Sequence, residues 1–191
     1  MNKYILASSN SNKITEIASQ LKNIDILSLS DLGYFDEINE TGLTLEENAL
    51  LKSQTIYQIY KIDTIADDTG LEVDCLSGEP GVFSARYAGV HGDSKLNIEK
   101  LLKKMNKFSN RTAKFRTVIC LKTKLKELFF EGICHGTISN KPLGLNGFGY
   151  DAVFIPNGQS KTFAQMNLSE KNKISHRFKA VKLLINYIKS R

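Results

Sequence analysis

The opening of the chain constrains its fold most. Lys3 to Ala7 is a short apolar run, and Ser8-Ser9-Asn10-Ser11-Asn12-Lys13 follows without a break. Ile14, Ile17, Ala18 and Leu21 then recur at helical spacing. Strand, polar loop, helix is the first arm of an α/β fold. A helix that starts this way presents unpaired N–H groups and partial positive charge, which suits a phosphate. Ser and Asn are equally ordinary helix N-caps, and both readings stay open. The loop is not a Walker loop, because Gly-x-x-x-x-Gly-Lys is absent.

At 191 residues the chain suits a single domain, or one domain split into two lobes. Its 41% hydrophobic content is enough for a real core. The net charge of +6 is spread along the chain, and the Lys100–Lys107 grouping shares its segment with an apolar stripe of Ile98, Leu101, Leu102 and Met105. Those lysines read as a solvated helix face rather than a nucleic-acid groove. No apolar run is long enough to span a bilayer, and the N-terminal one is too short for a secretory leader. Cys75, Cys120 and Cys134 are far apart and show no metal spacing, which argues for buried thiols in a reducing compartment, the cytoplasm.

Further along, Leu29 to Ile38 reads as a strand-bearing connection. Thr44-Leu45-Glu46-Glu47 matches a capping box opening a helix that runs through Tyr60. Glu47 can therefore be a cap, while Asn48 and Lys52, four apart, share a helix face suited to metal and phosphate or to water. Thr64 to Ala66 reads as a buried strand ending in Asp67 and Asp68, with Thr69 and Gly70 next. Adjacent strand residues point to opposite faces, so the two aspartates should not share one site. One of them is expected to orient a water or hold a cation, with the other held by backbone donors in a turn. Both can equally make plain Asx turns.

Asp93 or Ser94 starts the Lys-rich helix, and Thr112–Leu121 and Leu128–Ile138 read as neighbouring strands. His135 reads as a surface residue. In Pro142-Leu143-Gly144-Leu145-Asn146-Gly147-Phe148-Gly149-Tyr150-Asp151 the three glycines imply close backbone approach. Phe148 either stacks on a base or tucks under its loop. The final helix has an apolar face of Val181, Leu184, Ile185 and Ile188, and begins with His176-Arg177. First turns favour acids, so cations there suggest a bound anion or a polar ligand edge.

Six stretches, in order, carry a resemblance: Leu-Ala-Ser-Ser-Asn-Ser-Asn-Lys, Glu-Asn-Ala-Leu-Leu-Lys, Ala-Asp-Asp-Thr-Gly-Leu-Glu-Val-Asp, Pro-Gly-Val-Phe-Ser-Ala-Arg-Tyr-Ala-Gly, Asn-Gly-Phe-Gly-Tyr-Asp and Lys-Asn-Lys-Ile-Ser-His-Arg. With them the chain resembles the inosine triphosphate pyrophosphatase family over nearly its whole length. The resemblance implies an elongated two-lobed α/β domain over residues 1–191, with a central mixed twisted sheet flanked by helices and a nucleotide cleft between the lobes. It also implies Mg²⁺-dependent hydrolysis of ITP, dITP and XTP to the monophosphate and pyrophosphate, in a cytoplasmic homodimer.

By the same resemblance Asp68 is the general base and a metal ligand, and Glu47 a metal ligand. Ser8, Ser9, Asn10, Lys13 and Lys52 take the triphosphate, and Thr69 supplies a substrate hydroxyl. Phe148, Gly149, Tyr150 and Asp151 bind the base, with Phe148 as the stacking ring, while Lys171, His176 and Arg177 read the 6-oxo purine edge or close over the nucleotide. Ser9, Thr69, Leu143, Leu145 and Phe178 depart from the family pattern, which bears on rate and lid packing rather than reaction type. Two rival readings are a septum-inhibitor-type pyrophosphatase for other modified nucleotides and a catalytically silent inosine-nucleotide sensor.

Overall fold

The structure, a computed structural model, describes residues 3–21 and 23–190. Among these residues the strands are β1 (Lys3–Leu6), β2 (Asp25–Ser28), β3 (Thr64–Val73), β4 (Pro80–Gly81), β5 (Thr112–Lys122), β6 (Glu127–Ile138) and β7 (Phe154–Pro156). The helices are α1 (Ser11–Ala18), α2 (Leu45–Tyr60), α3 (Ser94–Met105), α4 (Leu168–Lys171) and α5 (His176–Lys189), joined in places by short 3-10 turns. The strands make one sheet in the order β2-β1-β3-β5-β6-β7, with β4 paired to β3. β1 is parallel to β2 and to β3, whereas β4 on β3 and β7 on β6 are antiparallel, so the sheet is mixed.

The chain divides into two compact units. Residues 1–68, 117–132 and 177–191 form the first, and residues 69–116 and 133–176 the second. In the first unit the period of two along β1 and β3 sorts side chains onto two faces. Tyr4, Leu6 and Ile65 pack with Ile17 and Leu21 of the α1 region and with Val181 and Leu184 of α5. Ile5, Ala7 and Ala66 pack on the opposite side with Ile56 of α2 and with Leu29. The register Ile5↔Thr64 and Leu6↔Ile65 fixes which residues fall on which side. In the second unit Leu71, Val73, Ala113, Phe115, Cys134, Ile138 and Phe154 meet Ile98, Leu101 and Met105 of α3, and Phe163 and Met166 close the cluster.

Two segments differ from the sequence reading. The second strand lies at Asp25–Ser28, ahead of Leu29–Ile38, which instead forms a 3-10 turn and an extended stretch. Leu32, Tyr34 and Ile38 lie against the core cluster that holds Leu29 and Ile56, which explains their apolar character without a strand. Asp67-Asp68-Thr69-Gly70 is not a turn: β3 runs straight through it for ten residues. No described helix is long and apolar enough to cross a membrane.

Candidate active site

β3 carries Asp67 and Asp68 side by side, 1% and 5% exposed, and its pleat sends them to opposite faces. Asp67 falls on the α1/α5 side. Its Oδ2 lies 3.2 Å from Lys13 Nζ on α1 and accepts from Arg177 Nε on α5 at 3.4 Å. Arg177 Nη1 in turn donates to Glu16 of α1. Burial alone would raise the Asp67 pKa, but Lys13, Arg177 and Lys52 outweigh it and hold the carboxyl well below the usual range. Asp67 is thus held by side-chain cations rather than by turn amides. At the cationic start of α5, Arg177 faces two anions of the chain itself, Glu16 and Asp67.

Asp68 falls on the α2 side. Asn48, fully buried, donates from Nδ2 to Asp68 Oδ2 at 3.1 Å and accepts Gly42 N–H at 2.8 Å on its Oδ1. Lys52 Nζ lies 3.9 Å from Asp68 Oδ1 and donates to Glu40. Burial raises the Asp68 pKa; Lys52, Lys13 and the Asn48 hydrogen bond pull it back without cancelling the effect. Lys52 is held charged, because Asp68, Glu40 and Asp67 overcome the burial that would lower its pKa. A buried carboxylate with a raised pKa, oriented by an amide and beside a fixed ammonium, suits proton abstraction from a water near phosphate oxygens.

Ser8 is buried at the end of β1, and Ser9 and Asn10 are exposed. Asn10 caps α1, its Oδ1 accepting from Asn12 N–H at 3.1 Å and Lys13 N–H at 3.2 Å. Glu47, expected among the metal ligands, directs Oε2 to the amides of Leu43 at 2.6 Å and Thr44 at 3.2 Å. The carboxylate that the fold brings beside Asp68 is Glu40, across Lys52. The donor chemistry fits a hard divalent ion, which takes one or two carboxylates and completes its shell with phosphate oxygens and water. Among the described residues no group of three or more His, Cys, Asp or Glu side chains is assembled for a metal.

The second unit holds the other expected residues. Thr69, half-buried, continues β3. Phe148, also half-buried, sits between Gly147 (φ +73°) and Gly149 (φ +60°). Asp151, 3% exposed, accepts Phe148 N–H at 2.9 Å and Lys171 Nζ at 2.5 Å, both on Oδ2. Gly149 N–H donates to Ser94 Oγ at 3.1 Å. Tyr150 is a core residue whose hydroxyl donates to the Ser84 carbonyl at 3.0 Å. His176 is 2% exposed and stacked on Phe115 with centroids 4.4 Å apart. The backbone approach implied by the glycines is partly to the chain itself: a Cβ on Gly144 would lie 2.3 Å from the Ala164 carbonyl oxygen.

Sequence reasoning placed Asn48 and Lys52 on one helix face but did not assign Asn48. Glu16 had a weak signal, one turn beyond Lys13 on α1. Glu40 lies in an irregular segment, where no periodicity marks it.

The model of the Ham1 family matches residues 4–187. A dITP/XTP pyrophosphatase of Flavobacterium psychrophilum is 50% identical over 187 residues, 97% of this chain and 98% of that protein. The solved Ham1 protein of Staphylococcus aureus is 38% identical, with a TM-score of 0.90 over 99% of both chains. A HAM1 protein of Coxiella burnetii is 34% identical, with a TM-score of 0.92 over the whole of both chains. A buried, amide-held aspartate on the third strand, a capped phosphate-type loop and a match along nearly the entire length lead to one conclusion: the chain belongs to the Ham1 family.

Proposed function

We propose that the chain hydrolyses non-standard purine nucleoside triphosphates, dITP, ITP and XTP, to the nucleoside monophosphate and pyrophosphate. The observation that carries this reading is Asp68, buried on β3, held by Asn48 and facing Lys52, in a chain half identical to a dITP/XTP pyrophosphatase. Asp68 takes a proton from a water as the water oxygen bonds to the α-phosphorus. The bond from that phosphorus to the bridging oxygen breaks, and pyrophosphate leaves. Lys52 and Lys13 stabilise charge that develops on the phosphate oxygens, with Ser8, Ser9 and Asn10 lining the phosphate end. Mg²⁺, held by Asp68 with Glu40 and the phosphates, would supply charge neutralisation of the triphosphate. Glu47 fixes the first turn of α2.

Base recognition falls to Phe148 as a stacking ring, with Lys171, His176 and Arg177 as donors that favour a 6-oxo group over the adenine amine. Thr69 offers a hydroxyl to the substrate. Cytoplasmic location fits the absence of a disulfide among the described cysteines, and a homodimer is the assembly proposed. A pyrophosphate-release assay on ITP, XTP and ATP tests the activity. Turnover of ITP and XTP well above ATP is expected, and Asp68→Asn should lower kcat by about 10²–10⁴ while still binding ITP. Equal rates on ATP, or near-normal turnover by the variant, would refute the reading. A silent sensor would bind ITP and release no pyrophosphate.

A further inference from the structure

We propose that the second unit carries a further ligand site, between the turn that follows β7 and the turn that follows α4, for a phosphate monoester with a flat apolar body, the size of a nucleoside monophosphate. The site is a cleft of about 290 Å³, and none of the residues lining it has a part in the function proposed above. Small-molecule pockets begin near that volume. Met166, 4% exposed, and the half-buried Ile174 give it an apolar lining, and both pack on the core cluster that holds Phe163. Lys161 comes from the first turn and Lys173 from the second, both exposed. Among the described residues neither is paired with a carboxylate. Glu170, which also lines the cleft, turns Oε2 to the Asn167 amide at 2.8 Å as a helix cap. Two ammoniums against one carboxylate leave the cleft an excess of positive charge.

Both walls are held by hydrogen bonds of their own. Asn157 N–H donates to the His135 carbonyl at 2.9 Å, and Gln159 N–H to the Pro156 carbonyl at 3.0 Å. On the other side Lys173 N–H donates to the Glu170 carbonyl at 3.2 Å, and Ser175 N–H to the Lys171 carbonyl at 2.9 Å. A site built in this way loses little freedom when it is filled. Two ammoniums match the charge of a phosphate monoester, which is about −1.5 to −2 at neutral pH. Phosphate alone would leave Met166 and Ile174 in water, whereas a nucleobase covers them, and a thioether packs well against an aromatic ring. Gln159 and Ser160, exposed at the rim, offer donors and acceptors to the polar edge of such a base.

Methyl NMR of the full chain, read at Met166 and Ile174, tests this with AMP as the probe, since the proposed active site disfavours adenine. AMP should shift both methyl signals saturably, with a Kd of about 1 mM or below. Raising the salt from about 0.05 to 0.5 M should weaken binding several-fold, because exposed ammoniums are screened. The double variant Lys161→Gln with Lys173→Gln should raise the Kd about tenfold, the scale of lost charge-assisted contacts, and leave ITP turnover within about twofold of wild type. Both lysines are exposed, so this variant is expected to fold. Inorganic phosphate, which lacks the apolar body, should bind at least about tenfold more weakly than AMP. Absence of a saturable shift would overturn the proposal, and so would shifts that persist unchanged in the double variant, since they would then arise elsewhere in the chain. Inorganic phosphate binding as tightly as AMP would overturn the assigned ligand class. Failure of the wild type to release pyrophosphate from ITP would refute the catalytic reading alone and leave these titrations decisive.

Discussion

Replacing Asp67 with Asn removes one negative charge from a point where two cations converge. Asp67 and Arg177 are each 1% exposed, and Asp67 Oδ2 lies 3.2 Å from Lys13 and 3.4 Å from Arg177. Breaking a buried ion pair from one side costs about 3–5 kcal/mol, because the remaining charge stays desolvated. Glu16 still accepts from Arg177, and the Lys13 side chain retains 15% exposure, so the low end applies, about 3 kcal/mol. For a chain of this size that corresponds to a Tm lowered by about 6–12 °C. Urea titration should show an earlier midpoint with an unchanged slope.

The contrasting control is Asp25→Asn. Its pair with Lys3 spans 3.9 Å with both side chains about half exposed, and its loss should cost no more than about 0.5 kcal/mol. Asp67 is a carboxylate whose folded pKa lies below its unfolded one, so its stabilisation is present above the unfolded value, about 3.9, and fades as pH falls toward the folded value. The gap between wild type and Asp67→Asn should therefore narrow below about pH 4. If Asp67→Asn melts within a degree or so of Asp25→Asn at neutral pH, the buried charge cluster is not a stabilising element and the reasoning fails.

Glu40 and Glu47 should separate cleanly. On the proposed Mg²⁺ dependence, Glu40→Gln is expected to raise the Mg²⁺ concentration for half-maximal turnover with little change in Tm, while Glu47→Ala should lower stability by about 1 kcal/mol through the lost cap and leave the Mg²⁺ dependence unchanged; the reverse pattern would make Glu47, as the resemblance implies, the metal ligand. Tyr87 has its pKa pushed up to about 12 by burial and by its hydrogen bond to Glu79 at 2.7 Å. Its stabilisation is full below the unfolded value, about 10, and is lost as pH rises toward 12, so Tyr87→Phe should be less stable by about 1 kcal/mol at pH 8 and converge on the wild type at high pH. Melting curves that stay parallel through that range would contradict the assignment.

What was legible in the sequence was what local chemistry fixes. Thr44 and Glu47 announce the start of α2, and the structure has both halves of the capping box. Of the apolar stripe, Val181 and Leu184 are buried in the core beside β1 and β3, and Ile185 and Ile188 pack half-buried against it. The strands read at Thr112–Leu121, from its alternation, and at Leu128–Ile138 are β5 and β6, each one residue longer in the structure. What was not legible depends on partners far off in the chain. Asp-Asp-Thr-Gly reads as a turn because carboxylates are costly inside a sheet. It remains a strand because Lys13 and Arg177 compensate Asp67 while Asn48 and Lys52 compensate Asp68. The partnership of Arg177 with Asp67 spans 110 positions, and no periodicity reports such a distance. Glu40 went unseen for a related reason: an irregular segment gives no face on which to place its side chain.

The pairing of Ile5 with Thr64 and Leu6 with Ile65 has an implication for how this strand can evolve. A shift of β3 by a single position would exchange the two neighbouring acids, turning the one clasped by Arg177 toward α2 and the proposed general base toward Glu16. Insertions or deletions in the centre of that strand should therefore abolish turnover even where the protein still folds. Tolerance to length changes belongs in the loops, and on the proposed role of Asp68 the alignment of two adjacent ribbons is as much a requirement of turnover as the carboxylate itself.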